Sequence, residues 1–181
     1  MKPIAEESKA KVIAVYDAAA ATYNRVGPSF FSHFGRRLAS GIEIAPGSKV
    51  LDVATGTGAV LVPAAELVGD KGRVVGIDLS PLMINRARTE IQKFGFCNAD
   101  VLVADAENLP FPQESFDHVL CSFAIFLFSD LRSLISEWGR VLRSRGRIGL
   151  VYSAGEDEEW KWYEQLISRY EPTSSLGTER Y

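Results

Sequence analysis

The chain has 181 residues, a length typical of one domain and sufficient to bury a full hydrophobic core. Its hydrophobic fraction of 46% and charged fraction of 24% are ordinary for a globular protein, and the net charge of −3 argues against a general binder of nucleic acid. The two cysteines lack metal-ligand spacing, and no run approaches the roughly 18 apolar residues of a membrane span. Together with the lack of a secretory apolar core at the N-terminus, these features predict a cytoplasmic protein with free thiols, no bound metal and no membrane span.

The first part of the chain is predicted to be helical. An alanine-rich stretch from Glu6 to about Tyr23 forms one helix, and Phe30, Phe34 and Leu38 share a face of a second helix that Gly41 can end. We interpret residues 1–45 as an N-terminal helical cap segment.

From Pro46 onward, apolar strand patterns alternate with helical patterns. The strands are predicted at about 49–53, 73–78, 99–104, 116–122 and 147–153, and the helices near 58–68, 81–94 and 130–142. Ser80 before Pro81, and Ser129, are the predicted N-caps of the second and third of these helices. This alternation predicts an α/β fold, a Rossmann-like parallel sheet with helices on both faces, over residues 46–153.

The first strand ends in Asp52 and leads into a glycine turn at Gly56 and Gly58. Glycine permits a tight strand-to-helix turn and lets a ligand approach backbone N–H groups at the positive end of a helix. The second strand ends in Asp78, 20 residues after Gly58, the spacing at which such folds place a carboxylate on ribose hydroxyls. The two strand ends therefore predict a site for an adenosine-containing cofactor.

The charge of the site distinguishes between such cofactors. A dinucleotide site has a third glycine and no carboxylate beneath the pyrophosphate, whereas this chain has Leu61 at the glycine position and Asp52 before the turn. A carboxylate there attracts the ammonium and sulfonium groups of S-adenosylmethionine. The sequence thus favours S-adenosylmethionine and disfavours an NAD-dependent oxidoreductase.

Four segments, VLDVATGTG, GIDLSPLM, ADAENLPF and FDHVLCSF, resemble class I S-adenosylmethionine-dependent methyltransferases, in particular the ubiquinone/menaquinone-biosynthesis C-methyltransferase branch. The resemblance runs from about Tyr16 to Ser153. It implies that the cofactor lies on the carboxyl ends of the strands, with Asp78 on the ribose, Leu79 on the adenine and Ser122 beside the cofactor. The remaining residues that it places at the cofactor are Tyr23, Asp52, Ala54, Gly56, Thr57, Gly58, Asp105 and Ala106.

The implied reaction is in-line methyl transfer to O, N or C of a small-molecule acceptor, which relies mainly on proximity and orientation. No catalytic base is evident: His118 falls at the end of its strand away from the cofactor, and His33 is expected at the surface or in packing. Residues 123–128 are apolar where quinone-directed relatives carry polar residues, which indicates either a hydrophobic acceptor pocket or a buried connection. A non-catalytic S-adenosylmethionine-binding or interaction module is the alternative function.

After Ser153 the sequence offers only a helical pattern at 156–170 and a polar tail, whereas the resembled fold closes its sheet with two further strands. We therefore expect the C-terminal strands to be missing and residues 154–181 to form the helix and tail of a truncated chain. The strand at 147–153 would then be an open edge, covered either by a second copy, as a homodimer, or by the 156–170 helix, with the dimer favoured. The arginines at 140, 143, 145 and 147 are interpreted as a cluster at a helix C-terminus.

Overall fold

The computed structural model describes residues 6–24, 29–128 and 130–152. These residues form one five-stranded sheet in the order β3-β2-β1-β4-β5, and every neighbouring pair of strands is parallel. The strands are β1 (Lys49–Val53), β2 (Arg73–Asp78), β3 (Ala99–Val103), β4 (Phe116–Ser122) and β5 (Leu142–Val151). The helices are α1 (Glu6–Ala19), α2 (Phe30–Gly41), α3 (Leu61–Val68), α4 (Pro81–Phe94) and α5 (Leu131–Val141), with a 3-10 turn at Ile125–Leu127.

Helices cover both faces of the sheet, which explains why the central strands are apolar on both sides. Val50 packs in a cluster with residues of α2, α3 and α4, whereas its neighbour Leu51 packs in a second cluster with α5. Trp138 of α5 is fully buried there, and its Nε1 donates a hydrogen bond to the carbonyl oxygen of Ala106 at 3.2 Å. The predicted α/β Rossmann-like fold is confirmed.

The start of α4 follows the predicted capping pattern. The Ser80 hydroxyl accepts the backbone N–H of Met83 at 3.0 Å, and Pro81 occupies the first helical position. In α5 the cap is Asp130, whose carboxylate accepts the N–H of Ser133 at 3.1 Å. The predicted cap Ser129 lies outside the described residues.

The starts of α3 and β5 differ from the sequence prediction, and α1 ends at Ala19 rather than near Tyr23. Helix α3 begins at Leu61 rather than near residue 58, because Gly58 has a φ of 91°, which a right-handed helix cannot contain. Strand β5 begins at Leu142, directly after α5, so that only Arg140 of the four arginines lies in the helix. On the strand, Arg143 pairs with Asp117 at 2.9 Å and Arg147 with Glu43 at 2.7 Å. The interpretation of all four as a helix C-terminal cluster was wrong.

The predicted helix at 156–170 and the rest of 154–181 lie outside the described residues. Within the described part of the chain, no helix is both long enough and apolar enough to cross a bilayer.

Candidate active site

A cleft opens at the carboxyl ends of β1, β2, β3 and β4, where an open α/β sheet binds its ligands. Its atom-free space is about 760 Å³, a figure that includes open solvent at the mouth of the cleft. Eight of the residues predicted at the cofactor line it together: Tyr23, Ala54, Gly56, Asp78, Leu79, Asp105, Ala106 and Ser122.

The turn after β1 forms the floor of the cleft. Ala54 and Gly56 have φ angles of 52° and 54°, in the left-handed region, and Thr55 between them donates its N–H to the carbonyl oxygen of Ile77 at 2.8 Å. A Cβ atom on Gly56 would meet Tyr23 Cε1 at 3.8 Å and nothing nearer. The backbone of the turn is therefore held to β2 while Gly56 leaves open space above it.

Asp78 at the end of β2 connects this turn to α4. Its Oδ2 accepts the N–H of Gly56 at 2.9 Å, and its Oδ1 accepts the N–H of Ser80 at 2.9 Å. A carboxylate has about four acceptor positions, so the group retains capacity to accept a ligand hydroxyl. Burial raises the pKa of Asp78, and the backbone N–H groups oppose that rise. The geometry suits a carboxylate that binds a diol.

Asp52 lies beneath the turn and does not line the cleft. Its side chain is buried, and Oδ2 accepts a hydrogen bond from the Thr55 hydroxyl at 2.6 Å. Burial, with a smaller contribution from the nearby Asp78 carboxylate, raises the pKa of Asp52 to about 7 against the opposing hydrogen bonds from Thr55 and the backbone of Leu61. Asp52 does not contact the space of the cleft, so it can act on a ligand there only electrostatically, across the turn.

Thr57 and Gly58 also lie away from the cleft, on a separate polar groove between α2 and α4. A Cβ on Gly58 would come within 3.8 Å of Ala87 of α4, which shows that this glycine sits close to that helix. Asp52, Thr57 and Gly58 are thus the predicted site residues that the structure does not bring into the cleft.

The far end of the cleft is charged. Asp105 accepts the N–H of Glu107 at 2.9 Å through Oδ1, and Lys9 Nζ lies 2.6 Å from Asp105 Oδ2 and 2.5 Å from Glu107 Oε2. Desolvation lowers the pKa of Lys9, but the two carboxylates raise it by more. Sequence reasoning missed Lys9 and Glu107, because periodicity within α1 gives no sign of a partner 96 residues away.

An aromatic wall, formed by Phe30, Phe31, Phe34 and Phe123, flanks the turn side of the cleft, and Phe123 itself lines the cleft. Phe123 has a φ of 55°, rare for a bulky residue, and its ring lies 5.0 Å from Phe30 and 5.5 Å from Phe34 between centroids. Tyr23 stacks on Phe31 at 4.9 Å. Leu127 and Phe128 line the cleft as well, which gives it an apolar side.

The two histidines lie where the sequence predicted. His118 is buried in β4 opposite Val50, near the start of β1 and away from the cleft, and desolvation lowers its pKa. His33 is exposed and packs edge-on against Phe34. Neither lines the cleft.

The two cysteines differ sharply in environment. Cys121 is buried in β4, where burial raises the pKa of its thiol to about 12, and Cys97 is exposed after α4. A thiol with so high a pKa is not a nucleophile at neutral pH. In the described ranges, no three histidine, cysteine or acidic side chains are placed to hold a metal ion.

The electrostatics of the cleft fit a cationic ligand. Its described lining contains the carboxyl groups of Asp78, Asp105 and Glu107 and one ammonium group, that of Lys9. This excess of acids attracts an ammonium or sulfonium and repels a pyrophosphate. Together with the strand order and the glycine turn, the cleft defines the class of S-adenosylmethionine-binding methyltransferase folds.

Comparison with known proteins agrees with this class. A methyltransferase-domain family model matches residues 50–146, more than half of the chain. The chain belongs to the S-adenosylmethionine-dependent methyltransferase family.

Among curated relatives, the chain is 40% identical over 150 residues to aklanonic acid methyltransferase DauC of Streptomyces sp. (strain C5), covering 81% of this chain and 68% of the relative. It is 41% identical to nocamycin O-methyltransferase of Saccharothrix syringae, covering 76% and 49%. It is 35% identical to the ubiquinone/menaquinone biosynthesis C-methyltransferase UbiE of Shewanella baltica, covering 81% and 61%. The chain thus spans from half to two thirds of the length of these relatives.

Solved structures share the fold. A SAM-dependent methyltransferase from Aquifex aeolicus superposes with a TM-score of 0.61 at 26% identity, covering 75% of this chain and 77% of that one. The [4+2]-cyclase SpnF superposes with a TM-score of 0.60 at 25% identity, covering 66% and 43%.

Proposed function

We propose that the chain transfers a methyl group from S-adenosylmethionine to O, N or C of a small hydrophobic metabolite. The observation that carries the proposal is one cleft with two unlike sides: acidic groups at the ends of β2 and β3, and an apolar wall after β4. The names of the relatives support it, since they refer to small molecules: aklanonic acid, nocamycin and quinones.

The residues present fit the cofactor. Asp78 would hold the ribose hydroxyls with its remaining lone pairs, and the turn at Ala54 and Gly56 would lie under the methionine part. Leu79 would pack on the adenine, with Asp105 at its edge and Ser122 and Tyr23 beside the cofactor. When bound, the cofactor would supply an activated methyl group and would keep the electron pair of the carbon–sulfur bond on its sulfur.

The chain's own contribution is to bind and orient. The apolar wall at Phe123, Leu127 and Phe128 would hold the acceptor and exclude water from the reacting atoms, the kind of effect that supplies much of the rate in such displacements. Among the described lining residues, no histidine or thiolate lies in position to remove a proton. This favours an acceptor that ionises readily on its own, such as a carboxylic acid or an acidic enol.

A non-catalytic or non-methylating role is the second candidate. The lack of a histidine or thiolate in the described lining supports it, and one solved structure of the same fold bears the name [4+2]-cyclase. The two candidates share cofactor binding and differ only in turnover.

The test has two stages. Calorimetry with S-adenosylmethionine, S-adenosylhomocysteine and NAD should show binding of the first two and none of NAD; lack of any heat with the first two on folded protein would refute the cofactor site. Production of S-adenosylhomocysteine is then measured with aklanonic acid and with smaller aromatic acids and enols as acceptors. Binding without turnover on every acceptor class would favour the second candidate.

A further inference from the structure

Helix α1 is attached to α4 by two reciprocal contacts, which we call the α1–α4 clasp. Asp17 of α1 accepts hydrogen bonds from the Ser80 hydroxyl and, at 3.2 Å, from the N–H of Leu82, in the first turn of α4. In return, Arg86 of α4 donates to the carbonyl oxygens of Ala20 and Ala21, at 3.1 and 2.6 Å, just past the end of α1. Each charged side chain thus meets the helix end of opposite polarity.

The clasp is continuous with the proposed ribose site. Ser80 donates its hydroxyl to Asp17 and its backbone N–H to Asp78 Oδ1 at 2.9 Å, while the other oxygen of Asp78 holds Gly56. One serine therefore joins the carboxylate on α1 to the carboxylate that faces the cleft. Burial is the main cause of the raised pKa of Asp78, and the charge of Asp17 raises that pKa as well.

The part of α1 held by the clasp forms one wall of the cleft. Lys9, Val12 and Tyr16 all line it, and Tyr16 directly precedes Asp17. The rings of Tyr16 and Tyr23 lie 6.0 Å apart on either side of the clasped segment. The other end of the wall is held by the Lys9 contacts with Asp105 and Glu107. The position of these side chains over the cleft thus depends on how firmly α1 is docked.

We infer that Asp17 and Arg86 are positioning residues for the cofactor cleft. They do not line it, and they act by keeping α1 docked so that Tyr16 and Lys9 lie over the ends of β2 and β3. Because apparent affinity falls in proportion to the fraction of molecules in the binding-competent state, undocking α1 weakens binding without touching the ligand. This inference rests on the proposed function, which supplies the cofactor.

The experiment measures S-adenosylhomocysteine binding by calorimetry for the wild type, Asp17→Ala, Asp17→Asn and Arg86→Ala. Loss of hydrogen bonds to a charged group predicts a Kd about tenfold or more higher for each alanine variant. Asp17→Asn keeps an acceptor oxygen for Ser80 and Leu82, so we expect its Kd to stay within about threefold of the wild type. Arg88→Ala is the matched control, since Arg88 is exposed on the same helix and bonds to Asn85 within it.

A purely structural role is separated from positioning by two further readouts. Hydrogen exchange should accelerate in residues 6–19 of the alanine variants and stay unchanged in β1 and β4, and the ligand should slow exchange of α1 in the wild type. The double variant Asp17→Ala with Tyr16→Ala should weaken binding no more than the larger of the two single effects. Both changes remove the contribution of α1 to the cleft, so their effects should not add.

The outcomes are distinct. A wild type that binds no S-adenosylhomocysteine refutes the proposed function. A wild type that binds, with alanine variants of unchanged Kd, or with Arg88→Ala weakened equally, overturns the positioning role. If Asp17→Ala fails to fold, Arg86→Ala and the exchange of α1 in the ligand-bound wild type decide the matter, and lack of protection in α1 also overturns the inference.

Discussion

Replacing Asp52 by asparagine tests the consequence of burying a carboxyl group beneath the glycine turn. Burial raises the pKa of this group from 3.8 to about 7 in the folded chain. Between those values the unfolded chain has lost the proton and the folded chain still holds it. Folding therefore binds a proton in this range, and the free energy of unfolding falls as the pH rises from about 4 to about 7.

The magnitude follows from the two pKa values. Since each pH unit of difference is worth about 1.36 kcal/mol, the full effect corresponds to about 4 kcal/mol, and we expect about 2–4 kcal/mol to be observed. Asparagine cannot ionise, so this contribution disappears. The amide also lowers the free energy of unfolding by an amount that is independent of pH, because one of its N–H groups is buried without an acceptor.

The assay is urea unfolding, followed by far-UV circular dichroism, of ligand-free protein at several pH values from 4.5 to 8. The difference in unfolding free energy between Asp52→Asn and the wild type should shift by about 2–4 kcal/mol in favour of the variant as the pH rises. Parallel profiles for Asp52→Asn and the wild type would mean that Asp52 ionises at its ordinary pKa, which would refute the argument from burial.

Three further predictions concern the site, the core and the sheet edge. Asp78→Ala should weaken S-adenosylhomocysteine binding by about 1.5–3 kcal/mol in titration while the fold survives, and an unchanged Kd would remove Asp78 from the ribose role. Gly76→Ala should lower the free energy of unfolding by about 1–3 kcal/mol, because the added Cβ would lie 2.5 Å from Leu61 Cδ1. Gly41→Ala, whose Cβ would lie in open space, should not destabilise the fold, and equal effects of the two substitutions would contradict the packing argument. We expect sedimentation over a hundredfold concentration range to reveal a dimer that Leu150→Lys weakens, since β5 is the last strand of the described sheet and Leu150 is exposed on it. A strictly monomeric wild type would contradict the expectation that β5 pairs with a second copy.

The parallel sheet could be predicted because each of its determinants is local. Strand β2 is an apolar run that ends in Asp78, and α4 begins with a serine and a proline that favour only a helix start. The register of those two elements in turn located Asp78 and Gly56 at the same edge of the sheet. The predicted site residues that lie together in the cleft are those whose positions such local signals determine.

The rest could not be predicted because it depends on contacts between distant residues. Nothing near Lys9 in the sequence indicates a pairing with Asp105, and nothing near Arg86 indicates two carbonyl groups at the end of α1. Asp52 was predicted at the ligand from its place before the turn, but its side chain turns to Thr55 and the interior. The start of β5 was misplaced because charged residues on an outer strand interrupt the apolar pattern by which a strand is detected.

Because one cysteine is exposed and the other is buried, the molecule carries two thiols that can be labelled under different conditions. A maleimide should alkylate Cys97 in the native state within the time of an ordinary labelling reaction, whereas Cys121, in the strand beside the central one, should react only when β4 separates from its neighbours. A fluorophore can therefore be attached at one known surface position without mutagenesis. The slow alkylation of the second thiol, followed by mass spectrometry under native conditions, then reports how often the sheet opens.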